Sequence, residues 1–200
     1  YTGQSFMAHA ELGVESVKDL DGASVCVLAG SVTERYVADY FRANNMKFTP
    51  IAVEQEAQVP SVYESGRCDV MTHETPSLAI ARRGFKDPDA HVILPEVIAK
   101  SYEAPLYREG DARWGDVIRW THFALVTAEE LGITRDNVEE KLNSDDPVVR
   151  TFLGVDGDLG EKMGLANDWV VTVIKSVGNY GEIYDRHLGD GSVLKIPRGM

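Results

Sequence analysis

Between residues 19 and 94, short β-rich runs alternate with segments of helical periodicity, and that alternation confines the chain to a layered α/β architecture. Asp19-Leu20-Asp21-Gly22 is a turn signal, and Ala23-Ser24-Val25-Cys26-Val27-Leu28 after it reads as a strand buried on both faces. Gly30 ends that run. Over residues 31–45, Val32, Tyr36, Val37, Tyr40 and Phe41 recur at helical spacing, so one stripe of an amphipathic helix faces the sheet. Phe48-Thr49-Pro50-Ile51-Ala52-Val53 is the next strand, with Pro50 acceptable near its start or at a sheet edge. The pattern continues with a helix over about 57–66, whose Pro60 belongs in its first turn, a strand over 68–72, a helix over 75–83 and a strand over 91–94. The expectation is a mainly parallel, three-layer α/β sheet with right-handed crossovers.

After Pro95 the character changes. Extended segments are expected within 97–108, and helices over 111–131, 135–143 and 167–187, joined by loops such as Asp145-Asp146-Pro147 and residues 154–160. The acids Asp156 and Asp158 do not begin the alternating oxygen ligands of a calcium loop, so no metal is expected there. A formal net charge of -12 over 200 residues, with basic residues scattered singly or in pairs such as Arg82 and Arg83, argues against a nucleic-acid partner and against docking on an anionic membrane. No apolar run approaches the roughly 20 residues needed to span a bilayer. The first residues lack the basic start and apolar core of a secretion signal, so either a signal has been removed or the chain begins inside a longer one. Cys26 and Cys68 have no metal-ligand spacing, and free thiols and a single disulfide both remain open.

The segment that carries chemistry is Leu28-Ala29-Gly30-Ser31-Val32-Thr33-Glu34, a strand turning tightly on Gly30 directly into a helix. The first amides of a helix have no intrahelical acceptor and sit at the positive end of its dipole, so the junction favours a carboxylate or phosphate. Ser31 or Thr33 either caps the helix or donates a hydroxyl to the anion. No Gly-Lys-Ser/Thr follows, which excludes a Walker phosphate loop. A second element, Asp69-Val70-Met71-Thr72-His73-Glu74-Thr75, lies at the carboxyl end of a later strand, where ligands of open α/β sheets bind. If the strands at Val25 and Val70 are neighbours, the two elements share one edge. Amides for an α-carboxylate beside Glu74 for an α-ammonium describe a pocket for a zwitterion.

Longer runs surround these residues. Asp21-Gly22-Ala23-Ser24-Val25-Cys26-Val27, Gly30-Ser31-Val32-Thr33-Glu34, Ala38-Asp39-Tyr40-Phe41-Arg42-Ala43-Asn44-Asn45-Met46-Lys47-Phe48, Gly66-Arg67-Cys68-Asp69-Val70, Asp89-Ala90-His91-Val92-Ile93-Leu94-Pro95-Glu96 and Gly178-Asn179-Tyr180-Gly181-Glu182 resemble the general L-amino-acid-binding periplasmic proteins of polar amino acid ABC transporters. The resemblance covers essentially the whole chain. It implies a two-lobed, type II periplasmic-binding-protein fold that closes over a free L-amino acid by hinge motion. It also implies a periplasmic location, the membrane permease of an ABC importer as partner, no cofactor and no catalysis. In that family the turn matching Gly30 to Thr33 usually carries successive threonines and holds the α-carboxylate, and the position matching Glu74 is usually an Asp that holds the α-ammonium. Here Val32 lacks a hydroxyl but keeps its amide, and Glu74 is one methylene longer. His73 beside it either helps set ligand choice or is structural. In the periplasm, a Cys26 to Cys68 disulfide follows if their strands are neighbours.

The resemblance implies three parts: residues 1–9 as a strand crossing the hinge and remnant of the first lobe, with Tyr1 near the first crossing; 10–103 as a complete α/β second lobe; and 104–200 as the return to a helical, partial first lobe whose sheet is missing. A helix displaying Trp114, Val117, Ile118 and Leu125 needs something to cover it, so a truncated chain is expected to self-associate. Two other readings fit the same fold: a periplasmic dehydratase-like enzyme with Glu74 as general acid, and the ligand-sensing domain of a receptor.

Overall fold

A computed structural model describes residues 2–198; Tyr1, Gly199 and Met200, and with Tyr1 the expected crossing point, lie outside the described residues. The chain forms two units, Tyr1–Ala104 and Pro105–Met200.

The first unit is built on six strands: β1 (Thr2–His9), β2 (Ser24–Leu28), β3 (Thr49–Val53), β4 (Val70–Glu74), β5 (His91–Ile93) and β6 (Ala99–Ser101). Their order is β3-β2-β4-β1-β5, with β6 also on β1. The β3-β2-β4 portion is parallel, whereas β1 runs antiparallel to β4, β5 and β6. The sheet is therefore mixed rather than mainly parallel. Residues 2–9 are no remnant outside this unit, because they form the strand that joins the parallel half to β5 and β6. Six consecutive positions of β1, Gly3 to Ala8, are buried, so a strand covered on both faces shows neither alternation nor an uninterrupted apolar run, given Gln4 and Ser5 within it.

Helix α1 (Val32–Ala43) packs on one face, where Phe6, Ala8, Val25, Val27, Val37, Phe41 and Val70 form a common core. Helices α2 (Val59–Glu64) and α3 (Thr75–Gly84) cover the other, with Met7, Cys26, Tyr63, Cys68, Met71, Leu78 and Phe85. Pro60 and Pro76 sit in the first turns of their helices, where a missing N–H is harmless. Alternation along β1 and β4 assigns Gln4, Phe6, Ala8, Thr72 and Glu74 to the α1 face. Ser24 and Asp69 exchange hydrogen bonds where β2 and β4 begin: the amide and hydroxyl of Ser24 both donate to Asp69, and the Asp69 amide donates back to Ser24 Oγ. These bonds hold the Asp69 carboxyl below the usual carboxylate range. On the far face Cys26 and Cys68 are joined by a disulfide, with Cα atoms 5.7 Å apart and a sequence separation of 42. A cross-link over such a loop restricts the unfolded chain by about 3 to 4 kcal/mol.

The second unit comprises α4 (Ala112–Glu130), α5 (Val138–Lys141), α6 (Pro147–Phe152), α7 (Leu159–Lys162), α8 (Trp169–Val177) and α9 (Tyr180–His187), with no strand among its described residues. Its core gathers Ala124, Ala128, Ile133, Val138, Val149, Leu153, Val170 and Ile174. The helix expected over 167–187 is broken. Gly178 adopts φ 82°, and Asn179 starts α9 in a capping box: its side chain accepts from the Glu182 amide while Glu182 accepts from the Asn179 amide. The segment 135–143 is helical only over α5, and two short helices absent from the sequence reading, α6 and α7, begin at the ends of the loops read at 145–147 and 154–160. Asp156 pairs with Arg150 through two hydrogen bonds and Asp158 with Lys162, so these acids are engaged by cations.

At the end of the first sheet opposite Glu74, Tyr63 is fully buried and its hydroxyl lies 2.9 Å from His91 Nδ1, while the His9 ring stacks on Tyr63 and lies 4.9 Å from that of His91. Burial first, and the His9 charge second, push the His91 imidazole below its ordinary value of 6.5, against weaker opposite pulls from Glu64 and Asp87. A depressed histidine favours its neutral form in the folded chain, so its contribution is complete above the unfolded value and is lost as pH falls below it. The thermal midpoint is expected to drop between about pH 7.5 and about pH 5. His91→Gln, which keeps an acceptor for Tyr63 and cannot titrate, should flatten that drop; parallel profiles for the two proteins would refute this coupling.

Candidate functional site

The parallel strands β2 and β4 place two groups at one carboxyl edge, the turn into α1 and Glu74. Helix α1 starts after a turn at Gly30, whose φ of 70° is left-handed; a Cβ there would meet nothing, so glycine is needed for conformation rather than room. Ser31 is the N-cap, its hydroxyl accepting from the Glu34 amide at 3.1 Å. The Gly30 amide donates to Glu34 Oε2 at 2.7 Å. The amides of Val32 and Thr33 are the first two of the helix and have no acceptor within it, so they remain at its positive end. Val32 is 54% exposed, and a shallow cavity of about 320 Å³ opens along Gly30, Ser31, Val32, Glu34 and Arg35.

Glu74 ends β4. Its Oε1 accepts from Ser101 Oγ at 2.5 Å, and its Oε2 is buried with no hydrogen-bond partner. A buried carboxylate oxygen without a donor is costly, and a hydrogen-bond donor or cation brought to it would relieve that cost. Gln4 connects the two groups. Only 3% exposed, it stands directly opposite Glu74 in the β1–β4 register, and its Nε2 donates to the Thr33 carbonyl at 3.2 Å and to Thr72 Oγ1 at 2.9 Å. Thr72 passes its own proton to the Ser5 carbonyl at 2.7 Å. A continuous buried chain of donors and acceptors thereby ties the first turn of α1 to β4 through β1.

The structure thus brings Gly30, Ser31, Val32, Thr33 and Glu74 to one edge and adds Gln4 and Ser101, which sequence reasoning missed. Their partners lie far away along the chain, 29 and 68 residues for Gln4 and 27 for Ser101, and no local pattern marks such pairs. His73 is placed differently. By strand alternation its side chain points to the face opposite Glu74, where its Nδ1 accepts from the Glu74 amide and its Nε2 lies 2.6 Å from Glu56. With Nδ1 accepting, the ring proton sits on Nε2 and is donated to Glu56. His73 therefore braces the strand end and the loop after β3. A slightly larger cavity, about 340 Å³, lies in the second unit among Trp120, Phe123, Phe152, Met163 and Trp169. Its lining is mostly apolar and holds no carboxylate, whereas the smaller opening lies at the start of α1. Among the described residues no cluster of His, Cys, Asp and Glu is arranged to hold a metal.

No family profile matches the chain. It is 47% identical over 202 residues to the general L-amino acid-binding periplasmic protein AapJ of Rhizobium johnstonii, and 42% identical over 201 residues to the glutamate/glutamine/aspartate/asparagine-binding protein BztA of Rhodobacter capsulatus. Among solved structures, an ABC transporter periplasmic binding protein from Brucella ovis with glutathione bound matches 99% of the chain at 50% identity with a TM-score of 0.88. The chain spans 59% and 60% of the two curated relatives and 63% of the solved one. Its homologues are periplasmic binding proteins of amino-acid ABC transporters, and it has the α/β fold of type II periplasmic binding proteins over the part it spans. No described helix is long and apolar enough to cross a membrane.

Replacing Gln4 by Leu removes the tether on the Thr33 carbonyl and leaves Thr72 Oγ1 without its donor. The expected cost is about 1 to 3 kcal/mol in denaturant unfolding, with faster hydrogen exchange at the amides of Glu34 and Arg35 in the first turns of α1. Unchanged exchange there would show that Gln4 does not order the turn.

Proposed function

We propose that this chain, homologous throughout to part of the binding proteins of amino-acid ABC transporters, carries the half-site by which such a receptor holds the zwitterionic head of a free L-amino acid in the periplasm and delivers it to a membrane permease. One observation carries this reading. The unpaired amides at the start of α1 and the unpaired Oε2 of Glu74 share one edge, joined by Gln4. An α-carboxylate satisfies the amides and an α-ammonium satisfies the carboxylate oxygen. AapJ is a general L-amino acid binder and the Brucella ovis protein holds glutathione. The γ-glutamyl end of glutathione bears the same zwitterion, so recognition centred on the head group accommodates both.

The first unit then acts as the second lobe, completed by β1, and the second unit as the helical part of the first lobe. Binding works by population shift: a ligand that favours the closed form of the receptor shifts the population toward the form a permease engages. Helix α4 leaves Trp114, Trp120 and Phe123 at 54%, 50% and 48% exposure, an unusually aromatic surface for a solvated helix. We assign its cover to residues that the relatives have beyond the span matched here; alone, two copies of this chain would associate through it. A catalytic role for Glu74 gains no support, since the homologues are binding proteins and the hydroxyls beside it, Thr72 and Ser101, are spent on Ser5 and on Glu74 itself.

A thermal-shift panel of free L-amino acids and glutathione, run after partial unfolding and refolding to remove any bound ligand, tests the proposal. A saturable rise in midpoint with several amino acids is expected, about 2.7 kcal/mol at a hundredfold excess over Kd. The corresponding acids without an α-amino group should give little or none. Equal shifts with and without the amino group would contradict the role given to Glu74.

A further inference from the structure

Strand β1 has β4 on one side and β6 on the other, and the acid that ends β4 reaches across it. Glu74 stands opposite Gln4, while Ser101 stands opposite Thr2. Cross-strand partners point to the same face, and Thr2 and Gln4 alternate onto one face, so Glu74, Gln4, Thr2 and Ser101 all project on the α1 side of the sheet. Glu74 and Ser101 are not on adjacent strands. They meet because the glutamate side chain spans β1 and accepts from Ser101 Oγ at 2.5 Å. An aspartate at the same position is one methylene shorter and would fall short of that hydroxyl. With Oε1 fixed by Ser101, the buried Oε2 is left as the one oxygen without a donor.

We infer that Ser101 is a positioning residue for ammonium recognition: by holding Oε1 of Glu74 it fixes the carboxylate orientation that offers Oε2 to the α-amino group of the ligand. The inference rests on the amino-acid reading above. It makes the glutamate at 74 and the serine at 101 a matched pair, with the longer acid required by the distance across β1. Ser101 also lies three residues before Ala104, where the first unit ends, so the group that recognises the ammonium is tied directly to the strand that leads out of the unit. Losing the hydroxyl leaves both carboxylate oxygens unheld in a partly buried place, and the carboxylate then reorders only at a cost that falls on the ammonium contact.

Calorimetric titration of the full-length protein with L-glutamine, and with glutaramate, the same molecule without its α-amino group, reads this role. Ser101→Ala is expected to weaken L-glutamine by about tenfold or more, in keeping with loss of a hydrogen bond to a charged group, while leaving glutaramate within about twofold. Ser101→Thr, which keeps the hydroxyl, should restore L-glutamine binding. In a Glu74→Gln background, Ser101→Ala should add little further loss, because the two changes remove the same interaction. If Ser101→Ala weakens both ligands equally, or neither, or if its effect adds fully to that of Glu74→Gln, the inference is overturned while amino-acid binding stands. A wild-type protein that takes up no free L-amino acid overturns the binding reading and this role together.

Discussion

The candidate site depends on the buried amide of Gln4. A primary amide placed at 3% exposure in the centre of a sheet must have its donors satisfied, and Gln4 satisfies them with the Thr33 carbonyl and the Thr72 hydroxyl. Those two partners belong to the two halves of the site: Thr33 to the open turn of α1, Thr72 to the strand that ends in Glu74. Neither half could shift by much without stranding a buried polar group at a cost of roughly 1 to 3 kcal/mol. The edge is therefore ordered before any ligand arrives, which is how a binding protein limits the entropy a ligand must offset.

Strand β1 makes this arrangement possible. Its even positions contribute Phe6 and Ala8 to the core under α1 and Gln4 to the polar chain, while Met7 enters the core under α2 and α3. The same strand presents Thr2 to β6 and so sets where Ser101 meets Glu74. One segment of eight residues thus determines the register of the sheet, the packing of both faces and the geometry at the carboxyl edge. At the opposite end, the His9, Tyr63 and His91 rings close the sheet with an aromatic stack in which the Tyr63 hydroxyl meets His91 Nδ1 and His9 Nε2 meets the Tyr63 carbonyl.

How much of this was legible in the chain follows from the range of the interactions. Elements made by local chemistry could be read: β2 and α1 from the apolar run and its periodicity, the turn at Gly30, Ser31 as one of two candidate caps with Thr33, and Pro60 in the first turn of its helix. Glu74 was legible as a strand-end acid. Strand β1 was misplaced because Gln4 and Ser5 interrupt its apolar run while being buried, a state only distant partners permit. In the second unit the pattern of α4 pointed to a displayed face of Trp114, Val117, Ile118 and Leu125, but did not show that Ala124 and Ala128 are the buried positions while Trp120 and Phe123 stay half exposed. Small residues that admit a neighbouring helix closely carry little signal in a hydrophobic pattern. The break at Gly178 had a local signature, Asn179 with Glu182 three residues on, but the continuous apolar periodicity on both sides masked it.

Amide chemical-shift mapping during titration with L-glutamine reports where the ligand sits rather than whether it binds. The largest changes are expected on the amides of Val32, Thr33 and Glu34 and on Thr72 to Thr75, with smaller changes at Gln4 and Ser101. Changes centred instead on Trp120, Phe123 and Trp169 in the second unit would contradict this placement, and would move the ligand from the sheet edge to the apolar cavity.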